Sequence, residues 1–234
     1  MRALILAAGY GKRLRPLTNR IPKCLIKIGK KPLLQIWLEK LEAQGVRHFL
    51  INTHYKSDKV EKFIKKTKFS KKVKLVYEKK ILGTGGTLYK NLDFFKQEDG
   101  IILHCDNYSS FSIKSFLQKH SKRPKNTLIS ILTFKTNKPK SSGIIKKNKK
   151  NIVEKIYEKK SKYYGNLANG AFYVFTKKIL KNLYKQKQSP KDIVKDILNK
   201  NLGKIYAIYT DSFFIDVGDI KSLKQARKFQ RNEK

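Results

Sequence analysis

The N-terminal stretch limits what this chain can fold into more than any other part of it. An apolar run of strand length, Ala3–Ala8, breaks at Gly9-Tyr10-Gly11, where two glycines let the backbone turn sharply and approach a ligand. Cations follow closely: Lys12, Arg13, Arg15 and, after a proline, Lys23. Exposed backbone N–H groups beside arginine and lysine are typical of phosphate binding. The pattern predicts a phosphate-binding loop after a buried strand, with a plain tight turn as the alternative.

Two familiar phosphate loops do not fit this spacing. The dinucleotide-binding fingerprint needs a third glycine three residues after the second, and Leu14 stands there. The Walker motif needs Gly-Lys-Ser/Thr after four intervening residues, and no stretch of the chain supplies it. If the loop binds phosphate, it therefore belongs to another class of nucleotide-binding protein.

The net charge of +38 raises the question of a nucleic-acid partner. Only 8 of the 55 basic residues are arginines, however, and the lysines are spread along the whole chain. Base recognition and bidentate phosphate contacts favour arginine, so we interpret most of the charge as a solvated lysine surface. We predict no specific nucleic-acid partner, although non-specific binding to polyanions is expected.

The composition is that of a folded protein without membrane insertion. At 234 residues and 40% hydrophobic content, the chain can bury a substantial core and is most simply one domain. No apolar run approaches the ~18–20 residues of a membrane helix, and Leu4–Ala8 is too short for a signal-peptide core. Cys24 and Cys105 have neither disulfide-framework nor metal-ligand spacing. We therefore expect a cytoplasmic protein.

Helix and strand patterns alternate along the first part of the chain. Pro32–Gly45 has apolar residues at helical spacing between a proline and a glycine. Phe49–Asn52 and Val73–Tyr77 have strand patterns, and Ser57 opens another helix between them. Alternation of this kind predicts an α/β fold with a mostly parallel sheet.

Two later stretches carry candidate ligand-binding residues. Three glycines in Gly83–Gly86 predict a backbone that something approaches closely, such as a flat ligand; a flexible turn before a helix at Leu88–Phe95 is the alternative. Gly100–Cys105 has the pattern of a buried strand and is followed by Asp106. Because open α/β sheets bind ligands at the carboxyl ends of their strands, Asp106 is a candidate catalytic acid, or else it caps the following turn.

The second half of the chain predicts a small antiparallel excursion. Ser142–Ile145 and Ile152–Lys159 have strand patterns on either side of a turn. Further strands are predicted at Thr127–Phe134, Asn166–Phe175 and Tyr206–Tyr209, and further helices at Ile193–Leu198 and Ile220–Phe229. Alternatively, this antiparallel pair of strands is a lysine-coated hairpin that binds no ligand.

A series of motifs in this chain, in the same order, resembles those of the sugar-1-phosphate nucleotidyltransferases. They are L-A-A-G-x-G-x-R-L-x-P-L-T…P-K from Leu6, E-x-x-x-L-G-T-G-G-x-L from Glu78, the strand end at Asp106, A-N-G-A-F-Y-V-F around Asn169 and F-x-D-V-G around Asp216. The pattern is most similar to short bacterial heptose- or mannose-1-phosphate guanylyltransferases for surface-polysaccharide precursors. The resemblance implies a three-layer, Rossmann-like, mixed and mostly parallel sheet flanked by helices, with a small antiparallel sugar-binding insertion. It also implies a single catalytic domain over 1–234 without the C-terminal β-helix domain of longer relatives.

The resemblance implies a role for each matching residue. Catalytic charge would come from Arg13 and Lys23, and Mg²⁺ would be bound by Asp106 and Asp216. The nucleotide would contact Leu6, Ala7, Ala8, Gly9, Gly11, Glu78, Gly83, Thr84 and Gly85. The sugar phosphate would contact Asn107, Gly143, Glu158, Lys159 and Asn169. The chain departs from the family pattern at Cys105, where a glycine is usual, and at Lys160, where a proline is usual.

The reaction implied is Mg²⁺-dependent transfer of a nucleotidyl group from an NTP, with GTP favoured, to a sugar 1-phosphate. One alternative is a cytidylyl- or uridylyltransferase acting on another phosphorylated acceptor, such as a phosphocholine-type phosphate. An alternative of another class is a non-catalytic protein that binds polyanions through its lysine surface. The base, the sugar, the oligomeric state and any allosteric control stay open.

Overall fold

The structure, a computed structural model, describes residues 1–158 and 162–232. Its strands are β1 (Arg2–Leu6), β2 (Lys27–Ile28), β3 (Lys31–Pro32), β4 (Phe49–Thr53), β5 (Val73–Tyr77), β6 (Gly100–His104), β7 (Asn107–Ser109), β8 (Ile129–Lys135), β9 (Ile144–Lys147), β10 (Val153–Tyr157), β11 (Leu167–Phe175), β12 (Ile205–Tyr209) and β13 (Phe214–Asp216). Its α-helices are α1 (Leu17–Arg20), α2 (Leu33–Glu42), α3 (Ser57–Lys65), α4 (Gly83–Lys90), α5 (Ile113–Ser121), α6 (Lys177–Tyr184) and α7 (Ile220–Asn232). A π-helix spans Ile193–Leu198. Within the described ranges, none of the helices has the length and apolar character needed to cross a membrane.

The chain divides into two compact units that interleave in sequence. The first unit comprises Met1–Ile81, Leu103–Ser110 and Phe214–Lys234, and the second comprises Leu82–Ile102 and Phe111–Phe213. Strand β6 begins in the second unit and ends in the first. The single catalytic domain expected from the sequence stays a prediction.

The first unit is built on parallel strands with buried apolar residues. β4 pairs in parallel with β1 on one side and with β5 on the other. Ala3, Leu4 and Ile5 of β1 are completely buried, because a continuous apolar run suits a strand that is covered on both faces. The register sets Leu6 of β1 beside Asn52 of β4, so the carboxyl ends of these two strands lie next to each other.

A short antiparallel ladder brings distant parts of the chain together within the first unit. β7 pairs with β13, with Asn107 opposite Asp216. The ladder continues beyond the strands, because the Val217 N–H donates to the Asp106 carbonyl at 2.9 Å. The two aspartates predicted to bind metal thereby lie on adjacent, hydrogen-bonded segments.

The second unit is a mixed arrangement of strands with helices. β8 pairs antiparallel with β11 and parallel with β12. β9 and β10 form the predicted antiparallel hairpin. The register between β11 and β8 shifts between Asn169 and Tyr173, and Ala171 within that bulge has a φ of 47°. The predicted fold class, a mixed sheet flanked by helices with a small antiparallel part, is confirmed.

Some predicted elements differ from those observed. The helix predicted at Leu88–Phe95 begins five residues earlier, at Gly83, and only a 3₁₀ turn covers Leu92–Phe95. Glycines start this helix because they let it pack directly on the backbone of Lys191 and Asp192. The stretch Ile193–Leu198 is helical as predicted but has π-type hydrogen bonding.

Candidate functional site

The glycine loop follows β1 in the first unit and is fixed at its start by two hydrogen bonds. The Leu6 carbonyl accepts from the Cys105 N–H at 3.0 Å. The Ala7 N–H donates to Asn52 Oδ1 at 2.8 Å. The predicted contacts Leu6, Ala7 and Ala8 thus lead from the carboxyl end of a parallel strand, the edge at which open α/β sheets bind ligands.

The two glycines of the loop have different surroundings. A Cβ placed on Gly9 would meet no atom within 4 Å, whereas a Cβ on Gly11 would lie 2.9 Å from Thr18 Cγ2 and 3.2 Å from Lys23 Cβ. Gly11 also has a φ of 64°, a conformation that favours glycine. Gly11 is therefore required by the fold, while Gly9 leaves open space that a ligand could use.

A cluster of one lysine and two aspartates stands at the centre of the predicted metal and phosphate site. Lys23 Nζ lies 2.5 Å from Asp106 Oδ2 and 3.5 Å from Asp216 Oδ1. The lysine side chain is only 12% exposed, whereas the carboxylates keep 35% and 57% of their exposure. The structure therefore brings together three residues that lie far apart in the sequence.

The two carboxyl groups of this cluster have opposite pKa shifts. Burial is the largest influence on Asp106 and opposes its charged form, but Lys23, His104 and a backbone hydrogen bond together hold the pKa of Asp106 below its usual value. Loss of hydration, followed by the negative charge of Asp106, raises the pKa of Asp216 despite the nearby Lys23 and Arg13. Lys23 thus contacts both carboxylates, and Asp216 is the less well compensated of them.

The guanidinium of Arg13 lies in the same region, next to Gly218. A Cβ placed on Gly218 would lie 2.8 Å from Arg13 Nη2 and 3.1 Å from Asp216 Oδ2. The guanidinium and the carboxylate therefore both approach the Cα of Gly218. Gly218 was not among the predicted site residues, although it follows Asp216 in the F-x-D-V-G motif.

The donor set of the cluster suits Mg²⁺ when substrate oxygens complete the coordination. Among residues 1–158 and 162–232, no three or more His, Cys, Asp or Glu side chains form a metal-binding group. Asp106 and Asp216 contact the same ammonium, so both offer oxygens to one place. Mg²⁺ is typically held by one or two carboxylates together with water and phosphate oxygens, and the aspartate pair fits that requirement.

Cys105, the departure from the family pattern next to Asp106, is a packing residue. It is 1% exposed and carries a free thiol, as does Cys24. Burial raises the pKa of the Cys105 thiol, so the group stays uncharged. Asn107, on the other side of Asp106, is 6% exposed, and its carbonyl accepts from Trp37 Nε1–H at 2.8 Å.

Glu78 directly follows β5, which is separated by β4 from the strand that leads into the glycine loop. Its side chain is 3% exposed, and Asn52 Nδ2–H donates to Glu78 Oε1 at 3.0 Å. Asn52 thus fixes both the start of the glycine loop and the predicted base-contacting residue. His54 adds a further link, because Nδ1 lies 2.7 Å from the Glu78 carbonyl and Nε2 lies 2.9 Å from the Tyr10 hydroxyl.

The glycines at 83 and 85 meet the chain's own backbone. In the second unit, a Cβ on Gly83 would clash with the Lys191 carbonyl, and the Gly85 N–H donates to that carbonyl at 3.0 Å. Thr84 Oγ1 accepts from the Ile193 N–H at 2.9 Å. The predicted close approach is present, and the backbone at Lys191 accounts for it. A contact between these residues and a base stays a prediction.

Three of the predicted sugar-phosphate residues meet in the second unit. The Asn169 N–H donates to the Gly143 carbonyl at 2.9 Å. A Cβ on Gly143 would lie 2.8 Å from Glu158 Oε1, so the Glu158 carboxylate comes close to the backbone of Gly143. Asn169 Nδ2–H donates to the hydroxyl of buried Tyr173 at 3.0 Å, and Asn169 Oδ1 accepts from the Ala171 N–H at 2.8 Å. Lys159 and Lys160 lie outside the described residues.

Two of the supporting residues, Asn52 and Tyr173, were missed by sequence reasoning. Asn52 is 3% exposed at the end of β4, and a polar residue ending an apolar strand was a usable signal. Tyr173 is fully buried, and burial raises the pKa of its hydroxyl. Its partnership with Asn169 depends on the bulge in β11, which strand alternation does not reveal.

Comparison with known proteins assigns the chain to a family. The model of the nucleotidyl transferase family matches residues 2–233, and the chain belongs to that family. The resemblance seen in the sequence motifs is thereby confirmed.

Curated relatives match nearly the whole of this chain. The chain is 30% identical over 228 residues to the mannose-1-phosphate guanylyltransferase catalytic subunit beta of Danio rerio, which covers 94% of this chain and 62% of that protein. It is 30% identical over 226 residues to mannose-1-phosphate guanylyltransferase 1 of Arabidopsis thaliana, covering 93% of this chain and 61% of that protein. The chain thus spans about three fifths of the length of these curated relatives.

Two solved structures match nearly the whole of this chain. HddC from Yersinia pseudotuberculosis, crystallised in complex with GMP-PN, has a TM-score of 0.80 and 26% identity, with 98% of this chain and 99% of that chain covered. A putative glucose-1-phosphate thymidylyltransferase from Bacillus anthracis has a TM-score of 0.86 at 20% identity, with 99% and 96% covered. The second likeness supports the fold alone.

Proposed function

We propose that this chain transfers a nucleotidyl group from an NTP, with GTP favoured, to a sugar 1-phosphate of the mannose or heptose type, and that the transfer requires Mg²⁺. The observation that carries the proposal is the cluster in which Lys23 Nζ contacts both Asp106 and Asp216. Such a cluster, beside a glycine loop at the end of a parallel strand, provides the charges that phosphoryl chemistry needs. Family membership supports the reaction class.

In the proposed reaction, an oxygen of the sugar phosphate attacks the α-phosphorus of the NTP. The bond from the α-phosphorus to the oxygen that bridges to the β-phosphorus breaks, and pyrophosphate leaves. Because the attacking oxygen is already anionic, no general base is needed. The protein has to align the reactants and to neutralise charge on the phosphates.

The first unit would supply most of that neutralisation. Arg13 would face the leaving phosphates, and Lys23 would stabilise the α-phosphate. Asp106 and Asp216 would hold Mg²⁺, which supplies Lewis acidity and further positive charge when bound. Leu6–Gly9, Gly11 and Glu78 would contact the nucleotide.

The second unit would supply the remaining contacts of the proposal. Gly83, Thr84 and Gly85 are proposed to contact the nucleotide. Gly143, Glu158 and Asn169 are proposed to contact the sugar phosphate. Asn107 and Lys159 are proposed as sugar-phosphate contacts too, and Lys159 lies outside the described residues.

The preference for GTP and the acceptor class are supported by names of similar proteins. Two relatives are mannose-1-phosphate guanylyltransferases, and the structure of HddC was determined with GMP-PN. We propose a cytoplasmic location, where NTPs are made, and a product that supplies surface-polysaccharide synthesis.

The proposal is tested by pyrophosphate release from the purified protein. Each NTP is paired with mannose, heptose and glucose 1-phosphate, with Mg²⁺ or with a chelator. We expect release with GTP and one of the first two acceptors, and only with Mg²⁺. Asp211→Asn, at an exposed carboxylate, is a matched control for Asp106→Asn.

Other results of this experiment would point elsewhere. Release with CTP or UTP and phosphocholine, but with no sugar phosphate, would favour the non-sugar alternative. A folded protein that binds no NTP but does bind polyanions would contradict an enzymatic function. Binding of nucleic acid alone would decide nothing, since a chain of net charge +38 is expected to bind polyanions.

A further inference from the structure

The Lys23 ammonium holds the carboxylate oxygens that a divalent cation would need. Its Nζ lies 2.5 Å from Asp106 Oδ2 and 3.5 Å from Asp216 Oδ1. A metal ion that coordinated both carboxylates would come within a few ångströms of this ammonium, and the repulsion there is weakly screened because the lysine is 12% exposed. Lysine and metal therefore compete for the aspartate pair.

We propose that Lys23 acts as an exchangeable cation for this pair. Its ammonium contacts Asp106 and Asp216 until a nucleotide arrives, then moves to the α-phosphate and leaves the carboxylates to Mg²⁺. The inference rests on the proposed function, because both the metal and the α-phosphate belong to it. Lys23 would thus couple metal binding to nucleotide binding.

The charges of the cluster explain the direction of this coupling. Without nucleotide, Lys23 contacts both carboxylates and the Arg13 guanidinium lies beside Asp216, so a divalent cation would enter a place where two positive charges already stand. A nucleotide triphosphate brings several negative charges, and the lysine and the metal can then both be accommodated. Metal should consequently bind weakly alone and well with nucleotide.

The placement of the Lys23 stem makes such a movement short. A Cβ on Gly11 of the glycine loop would lie 3.2 Å from Lys23 Cβ, so the lysine leaves the backbone beside the loop proposed to hold the phosphates. Four methylene groups separate the Cα atom of Lys23 from its ammonium group. Rotation about the bonds between them redirects Nζ without moving the main chain. Two destinations for the ammonium are therefore within reach of one anchored side chain.

The test measures metal binding directly, with Mn²⁺ as the probe and the loss of the free-ion electron paramagnetic resonance signal as the readout. The purified protein without nucleotide is titrated as wild type, Lys23→Met, Lys23→Gln and Lys23→Arg. Lys30→Met, which removes an exposed lysine, controls for the loss of one positive charge from the chain. Circular dichroism and thermal unfolding establish that each variant is folded.

We expect Lys23→Met and Lys23→Gln to bind Mn²⁺ at least about tenfold more tightly than wild type. Lys23→Arg and Lys30→Met should stay close to wild type. The gain should disappear in Lys23→Met/Asp106→Asn. Addition of a non-hydrolysable GTP analogue should increase Mn²⁺ affinity more in wild type than in Lys23→Met, because only wild type has to displace the lysine.

Equal affinity in wild type and Lys23→Met would overturn the inference, as would an equal gain in Lys30→Met or the absence of saturable binding in Lys23→Met. These results are independent of turnover. Mg²⁺-dependent pyrophosphate release with unchanged Mn²⁺ affinity would overturn only the exchange, whereas tighter binding without any nucleotidyl transfer would overturn only the proposed function.

Discussion

The two units of this protein treat their central polar groups in opposite ways. In the first unit, Asp106, Asp216 and Lys23 are charged, and the Asp216 side chain remains 57% exposed with its pKa raised. In the second unit, Asn169 and the fully buried Tyr173 are neutral and hydrogen-bonded to each other. Charged groups left partly uncompensated suit a ligand that brings charge of its own. Neutral groups that are satisfied internally suit recognition of shape and hydroxyl groups.

The largest loss of activity should come from a substitution in the charged cluster of the first unit. Asp106→Asn keeps the size of the side chain but removes the charge that we propose holds Mg²⁺. We expect nucleotidyl transfer to fall by about 10³-fold or more, measured as pyrophosphate release at saturating substrates. Far-ultraviolet circular dichroism should be unchanged. Activity within a few-fold of the Asp211→Asn control would remove the metal role of Asp106.

Substitutions at the neutral pair of the second unit, Asn169 and Tyr173, should change KM for one substrate only. Asn169→Ala removes the amide proposed to contact the sugar, and we expect KM for the sugar phosphate to rise about 10-fold while KM for the NTP stays constant. Tyr173→Phe removes only one of the two hydrogen bonds that hold the Asn169 amide, since the bond from the Ala171 N–H remains, so KM for the sugar phosphate should rise less than in Asn169→Ala. If both KM values rose equally, the separation of roles between the two units would be wrong.

The two loop glycines offer a sharper test within the first unit. Gly9→Ala places a methyl group in open space, so stability should not change, while a proposed contact with the nucleotide predicts a rise of roughly 5-fold in KM for the NTP. Gly11→Ala would instead force a φ of 64° on alanine against Thr18, and we expect a loss of about 1–2 kcal/mol in unfolding free energy. Thermal unfolding measures the stability of both variants, and steady-state kinetics measures their KM for the NTP. Equal destabilisation of the two variants would contradict the different surroundings of Gly9 and Gly11.

The smallest effect concerns a carboxylate of the second unit that has a structural role. Asp99 Oδ1 accepts from the Lys177 N–H at the start of α6 at 2.7 Å, and Oδ2 lies 3.5 Å from His120 Nε2. Burial is the largest influence and opposes ionisation, but the hydrogen bonds from His120 and Lys177 together with nearby positive charge lower the pKa of Asp99. We expect Asp99→Asn to cost about 1 kcal/mol at pH 7.

The pH dependence of that loss has a defined sign. Because the pKa of Asp99 is lower in the folded than in the unfolded protein, its stabilisation is complete above the unfolded pKa and disappears as the pH falls through the folded value. The difference in melting temperature between wild type and Asp99→Asn should therefore be largest near neutral pH and shrink in acid. A difference that is constant down to pH 3 would show that charge is not its cause.

Much of the fold could be predicted because the sequence patterns that specify its strands and helices are local. The apolar runs at β1, β4 and β6 and the apolar face of α2 were strong enough to place these elements close to their observed bounds. α5 and α6 were missed although Ser112 and Thr176 cap them with side-chain hydrogen bonds, a pattern that was readable in the sequence.

The candidate site could be predicted as a set of residues but not as an arrangement. The motifs named Lys23, Asp106 and Asp216, yet their contact depends on β7 and β13, two strands of only three residues each. Strands that short leave no alternation to detect. The close packing of Gly83 and Gly85 on Lys191 was likewise hidden, because glycines show only that something comes near and not what it is.

The β7–β13 ladder also has a consequence for the timing of folding. Asp216 lies 110 residues after Asp106 in the chain, so a ribosome must add nearly half of the sequence after the first aspartate before the second exists. Pairing across so large a loop is slow, because its closure entropy is lost before any contact compensates for it. During synthesis, the nascent chain would thus carry a finished glycine loop well before it could bring the two aspartates together.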